Sequence, residues 1–158
     1  MRVLHYPQID SSNLEAKRVL DIDGSAPFWI HADIQCAGRG RLSRQWLSIE
    51  GNLFCTGVYA AFADLPKTSL LSFAAALAVY DVLTKWIDDK ALKIKWPNDI
   101  LVNGRKISGI LLETHSTGDG NFVLIGIGIN IADHPVIDRR ECTHLWAEVQ
   151  DERTDKPA

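Results

Sequence analysis

Runs of apolar and β-branched residues divide the chain into predicted strands. Residues 2–7, 27–35 and 52–60 are rich in the aromatic and β-branched side chains that strands favour. The second of these strands leads directly into a segment rich in glycine and arginine, so that segment should be a loop held at a strand end. The pattern therefore predicts a sheet that carries a polar loop.

Two helices are predicted from a different spacing of apolar residues. The first runs from Ser12 to about Asp21, where Ser12 as N-cap and Glu15 three residues later form a capping box. The second begins at Thr68 or Ser69 and should be the main core helix. Its apolar stripe consists of Leu70, Phe73, Leu77, Val79, Val82, Leu83, Trp86 and Ile87.

Residues 99–131 predict a three-stranded antiparallel meander. Asn103-Gly104 is a strong signal for a two-residue hairpin turn, and residues 117–121 supply a second turn. The runs between and beside these turns are apolar enough to form strands.

A two-residue turn also predicts how the strands beside it pair. The expected partners are Val102 and Arg105, Leu101 and Lys106, Ile100 and Ile107, and Asp99 and Ser108. In that register Asp99 and Lys106 are diagonal neighbours on one face, close enough to contact each other and a shared ligand. Leu101 and Ser108 complete the same face.

Composition favours a single globular domain with one sizeable core. The chain has 158 residues, of which 46% are hydrophobic, and a net charge of -3. We expect this domain at residues 1–150 and a frayed polar tail at residues 151–158. No apolar stretch approaches the roughly 20 residues of a bilayer span, and the N-terminus lacks a secretory signal. A cytoplasmic protein without a membrane contact is expected.

Cysteine and histidine spacing predicts neither a disulfide framework nor a metal site. Cys36, Cys55 and Cys142 are odd in number and scattered, which indicates reduced thiols. The five histidines lack the HxxxH and HExxH spacings of metal sites. The sequence therefore predicts no metal cage.

The most unusual segment is AGRGRLSRQW, residues 37–46, which holds three arginines and two glycines within seven residues. Arginine suits phosphate or carboxylate, and glycine lets the backbone approach a ligand. The segment is too short for an RNA-binding tract, and no helical period follows it as a dinucleotide fingerprint requires. A solvated loop is the alternative for this segment alone, but the rest of the chain favours an anion-binding loop.

A second polar group, KWPND at residues 95–99, stands at a strand entrance where Pro97 interrupts the ladder. In isolation, a solvated turn with a charge pair explains it equally well. Helix capping alone explains the polar residues 11–13, and close packing explains the glycines of GIGIN at residues 126–130. The order of these segments carries more information than any one of them.

Taken together, the segments resemble biotin protein ligases. The matching motifs are DSSN (residues 10–13), QCAGRGRLSRQW (35–46), KWPNDI (95–100), RKISGILLE (105–113) and GIGIN (126–130). The match covers about residues 3–150 in the family's order and spacing. It implies an α+β fold with a mixed, largely antiparallel sheet and helices packed on it, the class II synthetase-like catalytic domain of biotin/lipoate ligases.

The resemblance also implies three overlapping groups of site residues. The biotin-binding group is Ser11, Ser12, Asn13, Gln35, Gly38, Arg39, Gly40, Arg41 and Lys106. The group that binds ATP or the adenylate is Arg41, Arg44, Trp46, Lys95, Asn98, Asp99 and Asn130. The catalytic group is Arg41, Arg44, Lys106 and Asp99.

The implied reaction is ATP-dependent activation of biotin to biotinyl-5'-AMP, followed by transfer of biotin to a carrier lysine. ATP and biotin are the substrates, and Mg2+ is shared between ATP and the protein. The implied partner is the biotin carboxyl carrier protein of acetyl-CoA carboxylase or of another biotin-dependent carboxylase. A monomer or a homodimer is expected.

The chain departs from the family's pattern in several places. Ser43 stands where the family usually has glycine, and DSSN replaces the more usual DSTN. We expect the catalytic domain without the family's C-terminal β-barrel, and no DNA binding because no helix-turn-helix is recognised. Two alternatives stay open: a non-catalytic module that binds biotin or its adenylate, and a ligase of the same superfamily for lipoate or octanoate.

Overall fold

The computed structural model describes residues 1–61, 68–137 and 141–149, so the predicted tail at residues 151–158 lies outside the described residues. The strands are β1 (Arg2–Ile9), β2 (Phe28–Gln35), β3 (Leu53–Ala60), β4 (Leu92–Lys95), β5 (Asp99–Val102), β6 (Arg105–Thr117) and β7 (Gly120–Ile129). The helices are α1 (Ser12–Asp23), α2 (Leu71–Leu83) and α3 (Leu145–Glu148).

The seven strands form one sheet in the order β1-β2-β3-β7-β6-β5-β4. β1 and β2 are parallel and are connected through α1, whereas the other neighbouring pairs are antiparallel. The predicted α+β fold with a mixed, largely antiparallel sheet is confirmed. The predicted meander is also confirmed, as β5, β6 and β7.

The two longer helices cover opposite faces of the sheet. Because side chains alternate along β7, Leu124 packs with Leu20 of α1, whereas Ile129 packs with Val79 of α2. α1 lies mainly over β2 and β3, which leaves part of its face of the sheet to other segments. Within the described residues, helices of the length and apolarity needed to cross a bilayer are absent.

The stripe predicted for the main helix is partly wrong. The buried side chains of α2 are those of Ala75, Ala76, Val79 and Leu83. Large residues of the predicted stripe that are exposed instead are Leu70, Leu77, Val82 and Trp86. Ala75 and Ala76 are small and let the helix approach the sheet closely. Whether a residue of α2 is buried therefore depends on its position around the helix rather than on the size of its side chain.

The capping box predicted for α1 is wrong. Ser11 rather than Ser12 is the N-cap, and its side chain makes no capping hydrogen bond. Glu15 pairs with Arg18 at 2.6 Å instead. The amide of Ser12 donates to Gln35 Oε1 at 2.7 Å, so a side chain from β2 satisfies this helix donor.

The predicted hairpin forms, but its register shifts after the first two pairs. A β-bulge beyond Leu101 pairs Ile100 with Ser108 and Asp99 with Gly109, one residue later on β6 than predicted. Ser108 is therefore not on the face of Lys106. It is fully buried, and its hydroxyl donates to the Gly128 carbonyl at 2.8 Å.

Candidate functional site

A cleft of about 510 Å³ lies between the arginine-rich loop and the sheet. The predicted site residues that line it are Ser11, Ser12, Asn13, Gln35, Arg39, Gly40, Arg41, Arg44, Trp46, Lys95, Asn98, Asp99, Lys106 and Asn130. Gly38 is not among the lining residues, but its carbonyl accepts a hydrogen bond from the Trp46 amide at 2.9 Å. The fold thus brings together segments that are far apart in sequence.

Glycines form the floor of the cleft. Gly109 and Gly128 are cross-strand partners, and the Trp46 indole lies against both. A Cβ added to Gly128 would lie 2.6 Å from this ring, and one added to Gly109 would lie 2.7 Å from it. Gly126 leaves similar space for Asn13, whose Oδ1 would be 2.3 Å from an added Cβ. The close approach expected at the GIGIN glycines is therefore confirmed.

The arginine-rich loop closes as a small hairpin beside this floor. Arg39 and Gln45 form an antiparallel bridge, and a short 3-10 turn lies between them. The left-handed residue of this turn is Leu42, with φ of 56°. The family's glycine position falls one residue later, at Ser43. This turn therefore uses a non-glycine residue in a conformation that favours glycine.

A chain of hydrogen bonds connects α1 to the loop. The Thr56 hydroxyl on β3 lies 2.6 Å from Asn13 Oδ1 and 2.8 Å from Ser12 Oγ. Asn13 Nδ2 donates to Glu113 Oε2 at 2.8 Å. Arg39 donates to the same carboxylate oxygen at 3.0 Å. The start of α1 and the arginine-rich loop are therefore tied to one acidic side chain.

Thr56 and Glu113 are site residues that the sequence prediction did not assign. Thr56 is fully buried in the middle of β3, and a polar residue within a strand of this kind is the signal that could have found it. Glu113 closes the RKISGILLE motif, yet its partners lie on α1 and in the loop. Its role becomes visible only when the fold brings these segments together.

The partners of Glu113 stabilise its ionised form. Burial opposes the charge and raises the pKa, but hydrogen bonds from Asn13 and Lys17 and the positive charges of Arg39 and Lys17 outweigh this effect. The pKa of Glu113 consequently lies below its ordinary value of 4.5. At neutral pH Glu113 is an anion that pairs with Lys17 of α1 and holds Arg39 at the edge of the cleft.

Lys106 presents its ammonium group to the cleft beside the Trp46 indole. Its Nζ lies 2.7 Å from Asp99 Oδ1 and 5.3 Å from the Trp46 ring centroid. The predicted contact between Asp99 and Lys106 is confirmed despite the bulge between them. The Lys106 amide donates to Glu141 O and its carbonyl accepts from the Thr143 amide, both at 2.9 Å. These bonds hold the backbone that carries the ammonium.

Two buried polar atoms on the cleft wall have no hydrogen-bond partner among the described residues: Trp46 Nε1 and Asn130 Oδ1. Asn130 is 2% exposed, and its Nδ2 donates to the Thr143 carbonyl at 3.0 Å. The side-chain amide of Asn130 is thus held by its nitrogen alone. A buried donor and a buried acceptor in one cleft indicate a place for a polar ligand.

The side of the cleft nearest β5 also carries polar and cationic groups. Asn98 Nδ2 donates to Ile110 O at 2.9 Å, and its Oδ1 accepts from Arg41 at 3.2 Å. Arg44 and Lys95 are exposed at the cleft surface. Their charges suit a phosphate-bearing ligand.

Residues 9–130 match the family model of the biotin/lipoate A/B protein ligase family. The matched stretch contains the glycine floor and the arginine-rich loop. The chain belongs to this family. Its resemblance to biotin protein ligases, first seen in the motifs, is confirmed.

A curated relative of the chain in this family is the biotin–[acetyl-CoA-carboxylase] ligase of Paracoccus denitrificans. The two are 45% identical over 129 residues, which cover 80% of this chain and 53% of the relative. The chain therefore spans about half the length of this relative.

Solved structures of biotin protein ligase from Leishmania major share the fold. The complex with biotin has a TM-score of 0.78 at 31% identity, covering 92% of this chain and 62% of that chain. The complex with biotinyl-5-AMP has a TM-score of 0.75 at 32% identity, covering 92% of this chain and 64% of that chain. The fold of this family member is therefore that of biotin protein ligase catalytic domains.

Gly128→Ala should displace the Trp46 indole, because the new Cβ would lie 2.6 Å from the ring. We expect the free energy of unfolding to fall by about 1–3 kcal/mol and the near-ultraviolet circular dichroism to change. Gly118→Ala is the matched control, since its Cβ would meet no atom within 4 Å. Equal effects of the two substitutions would contradict the proposed packing.

Glu113→Gln should lower the free energy of unfolding by about 1–3 kcal/mol at pH 7. Because the folded protein lowers the pKa of Glu113 below 4.5, the wild type loses this contribution as the pH falls below that value. The difference between wild type and variant, measured by urea denaturation, should therefore shrink toward pH 3.5. A difference in the free energy of unfolding that stays constant with pH would contradict a role for the ionised form of Glu113. Glu50→Gln, at an exposed position in a turn, is the control.

Proposed function

We propose that this chain supplies the catalytic core of a biotin protein ligase. It activates biotin with ATP to biotinyl-5'-AMP and transfers biotin to a lysine of a biotin carboxyl carrier protein. The observation that carries the proposal is the Lys106 ammonium, 2.7 Å from Asp99, in a cleft with a glycine floor and an arginine-rich edge. The similarity to biotin protein ligases supports the same assignment.

The end of the cleft at α1 suits the biotin ring. Its wall combines the polar side chains of Ser11, Ser12 and Gln35 with the apolar side chain of Leu111. Biotin has a matching mixture, since an apolar sulfur-containing ring is fused to a ureido group that both donates and accepts hydrogen bonds.

Asn13, Gly38, Arg39 and Gly40 complete this biotin-binding end. Asn13 is held against Gly126 by its bonds to Thr56 and Glu113. Gly40 keeps the loop backbone free of a side chain where it lines the cleft. Gly38 lets the loop close, since a Cβ there would lie 2.6 Å from the Trp46 carbonyl oxygen. Arg39 is positioned by Glu113, so its guanidinium stays at the cleft edge before any ligand arrives.

The first chemical step joins two anions. A carboxylate oxygen of biotin attacks the α-phosphorus of ATP, the bond from that phosphorus to the bridging oxygen breaks, and pyrophosphate leaves. Lys106 holds the carboxylate beside the α-phosphate and offsets the negative charge that develops there. Arg41 and Arg44 act on the phosphates from the loop. The protein forms no covalent intermediate in this scheme.

The adenylate lies on the side of the cleft nearest β5. Trp46 Nε1 and Asn130 Oδ1 supply a donor and an acceptor for its polar groups, which accounts for their lack of protein partners within the described residues. Lys95 and Asn98 border the same region. Binding there would place the phosphate between Lys106 and the loop arginines.

In the second step the carrier lysine attacks the carbonyl carbon of biotinyl-5'-AMP, and AMP leaves. The attacking amine must be neutral, so its proton has to be accepted in the site. Asp99 takes this role, since it is the carboxylate that contacts Lys106. AMP departs with the electron pair of the broken carbon–oxygen bond.

ATP would carry Mg2+ into the cleft. This ion prefers oxygen ligands, retains several waters and binds through one or two carboxylates together with substrate phosphates. Asp99 and Glu141 bring carboxylates to the cleft, which fits an ion carried mainly by the nucleotide. When bound, Mg2+ supplies positive charge to the phosphates.

The carrier belongs to acetyl-CoA carboxylase or another biotin-dependent carboxylase, and it presents its lysine at the cleft mouth. A cytoplasmic location and a monomeric or homodimeric state stay predictions from the sequence. A module that binds biotin or its adenylate without catalysis, and a lipoate or octanoate ligase, are the competing functions.

Biotin-dependent exchange of pyrophosphate with ATP tests the proposal directly. We expect the chain to catalyse exchange with biotin, and Lys106→Gln to slow it at least about 100-fold because one charged donor to the transition state is lost. Glutamine can still hydrogen-bond to Asp99, so the melting temperature should change little. Lys85→Gln, at an exposed position after α2, is the control.

Wild-type chain that binds biotin but shows no exchange would support the non-catalytic module. Exchange with lipoate but not with biotin would support the lipoate ligase. If Lys106→Gln retained the wild-type rate, the role given to Lys106 would be wrong.

A further inference from the structure

Two histidines that are ten positions apart in the sequence meet beyond the end of β7. The Nδ1 atoms of His134 and His144 lie 2.7 Å apart, the ring planes differ by 26°, and the ring centroids are 5.0 Å apart. These values place the nitrogen edges of the rings together rather than their faces. Both residues are partly buried, so the pair is not a feature of a fully exposed surface.

The carboxylate of Asp133 completes a triangle with these nitrogens. Its Oδ1 lies 3.9 Å from His134 Nδ1 and 4.0 Å from His144 Nδ1. The point equidistant from all three atoms is therefore about 2.1 Å from each, which matches zinc–nitrogen and zinc–oxygen bonds of about 2.0–2.2 Å. The His134 amide donates to Asp133 Oδ1 at 2.7 Å and keeps the carboxylate beside the rings.

Two asparagines hold the segments that carry these groups. Asn52 Oδ1 accepts hydrogen bonds from the amides of residues 131–133, and its Nδ2 donates to Asp133 O at 2.8 Å. On the other side, Asn130 Nδ2 donates to Thr143 O at 3.0 Å, and the Asn130 backbone carbonyl accepts from the Leu145 amide at 3.0 Å. Support of this kind outside the ligands is what fixes the geometry of metal sites.

We propose that Asp133, His134 and His144 form a binding site for zinc or a chemically similar first-row divalent ion. Two imidazole nitrogens and one carboxylate are a common zinc ligand set, and the Asp133 side chain is 62% exposed, which leaves a fourth position for water. The two Nδ1 atoms now face each other at hydrogen-bond distance, so ion binding requires both rings to turn until their lone pairs point at a common centre and the nitrogens are roughly 3.3 Å apart, as in a tetrahedral site.

This site is separate from the proposed ligase chemistry. None of its three ligands is among the residues that line the cleft, and the ion differs in preferred ligands from the Mg2+ that accompanies ATP. The bound ion joins the segment after β7 to the segment before α3. Pro135 and Cys142, which border those segments, line the cleft wall. The ion therefore stabilises that wall as a cross-link between two segments.

Isothermal titration of metal-stripped chain with Zn2+ tests the proposal. We expect one ion per chain at this site, and His134→Asn or His144→Asn should weaken its binding at least about tenfold. Asp133→Asn is a third variant that keeps the local backbone. His5→Asn is the matched control, because His5, His31 and Asp33 form a second histidine–carboxylate group on β1 and β2.

Co2+ in place of Zn2+ provides a spectroscopic reading that is independent of activity, since ligand-field absorption appears when the ion enters a site of this kind. The absorption should persist in His5→Asn and disappear in His134→Asn, with both variants folded by circular dichroism. The proposal is overturned if the wild type binds no Zn2+, or if binding is unchanged in His134→Asn and His144→Asn.

Discussion

The absence of a side chain at Gly109, Gly126 and Gly128, on one face of β6 and β7, is the constraint on which the site depends. Gly109 and Gly128 let the Trp46 indole lie on the sheet, and Gly126 does the same for Asn13. A Cβ at any of these positions would overlap one of these two side chains. The arginine-rich loop and the start of α1 consequently come to the same surface and enclose the cleft.

Charge in the cleft is organised by two carboxylates before a ligand binds. Glu113 holds Arg39 and Lys17, while Asp99 holds Lys106. Each cation is thereby held in place, and the neighbouring carboxylate partly neutralises its charge. An anionic ligand meets cations that are already oriented, which reduces the reorganisation needed at the moment of reaction.

Local signals in the sequence predicted the Asn103-Gly104 turn and six of the seven strands, all except β4, and the family motifs named about half of the residues that line the cleft. Local signals could not predict contacts that depend on a distant segment of the chain. Gln35 caps α1 from β2, and the partners of Glu113 come from α1 and the loop. The β-bulge beyond Leu101 and the buried face of α2 likewise depend on packing against neighbours, which periodicity along one segment does not contain.

A crystal structure with a non-hydrolysable analogue of biotinyl-5'-AMP tests the central claim most directly. We expect the biotin ring beside Asn13 and Gly126, the phosphate group within hydrogen-bond distance of Lys106 Nζ, and the nucleotide beside Trp46 and Asn130. An analogue bound outside the cleft, or bound with the biotin ring and nucleotide exchanged, would contradict it.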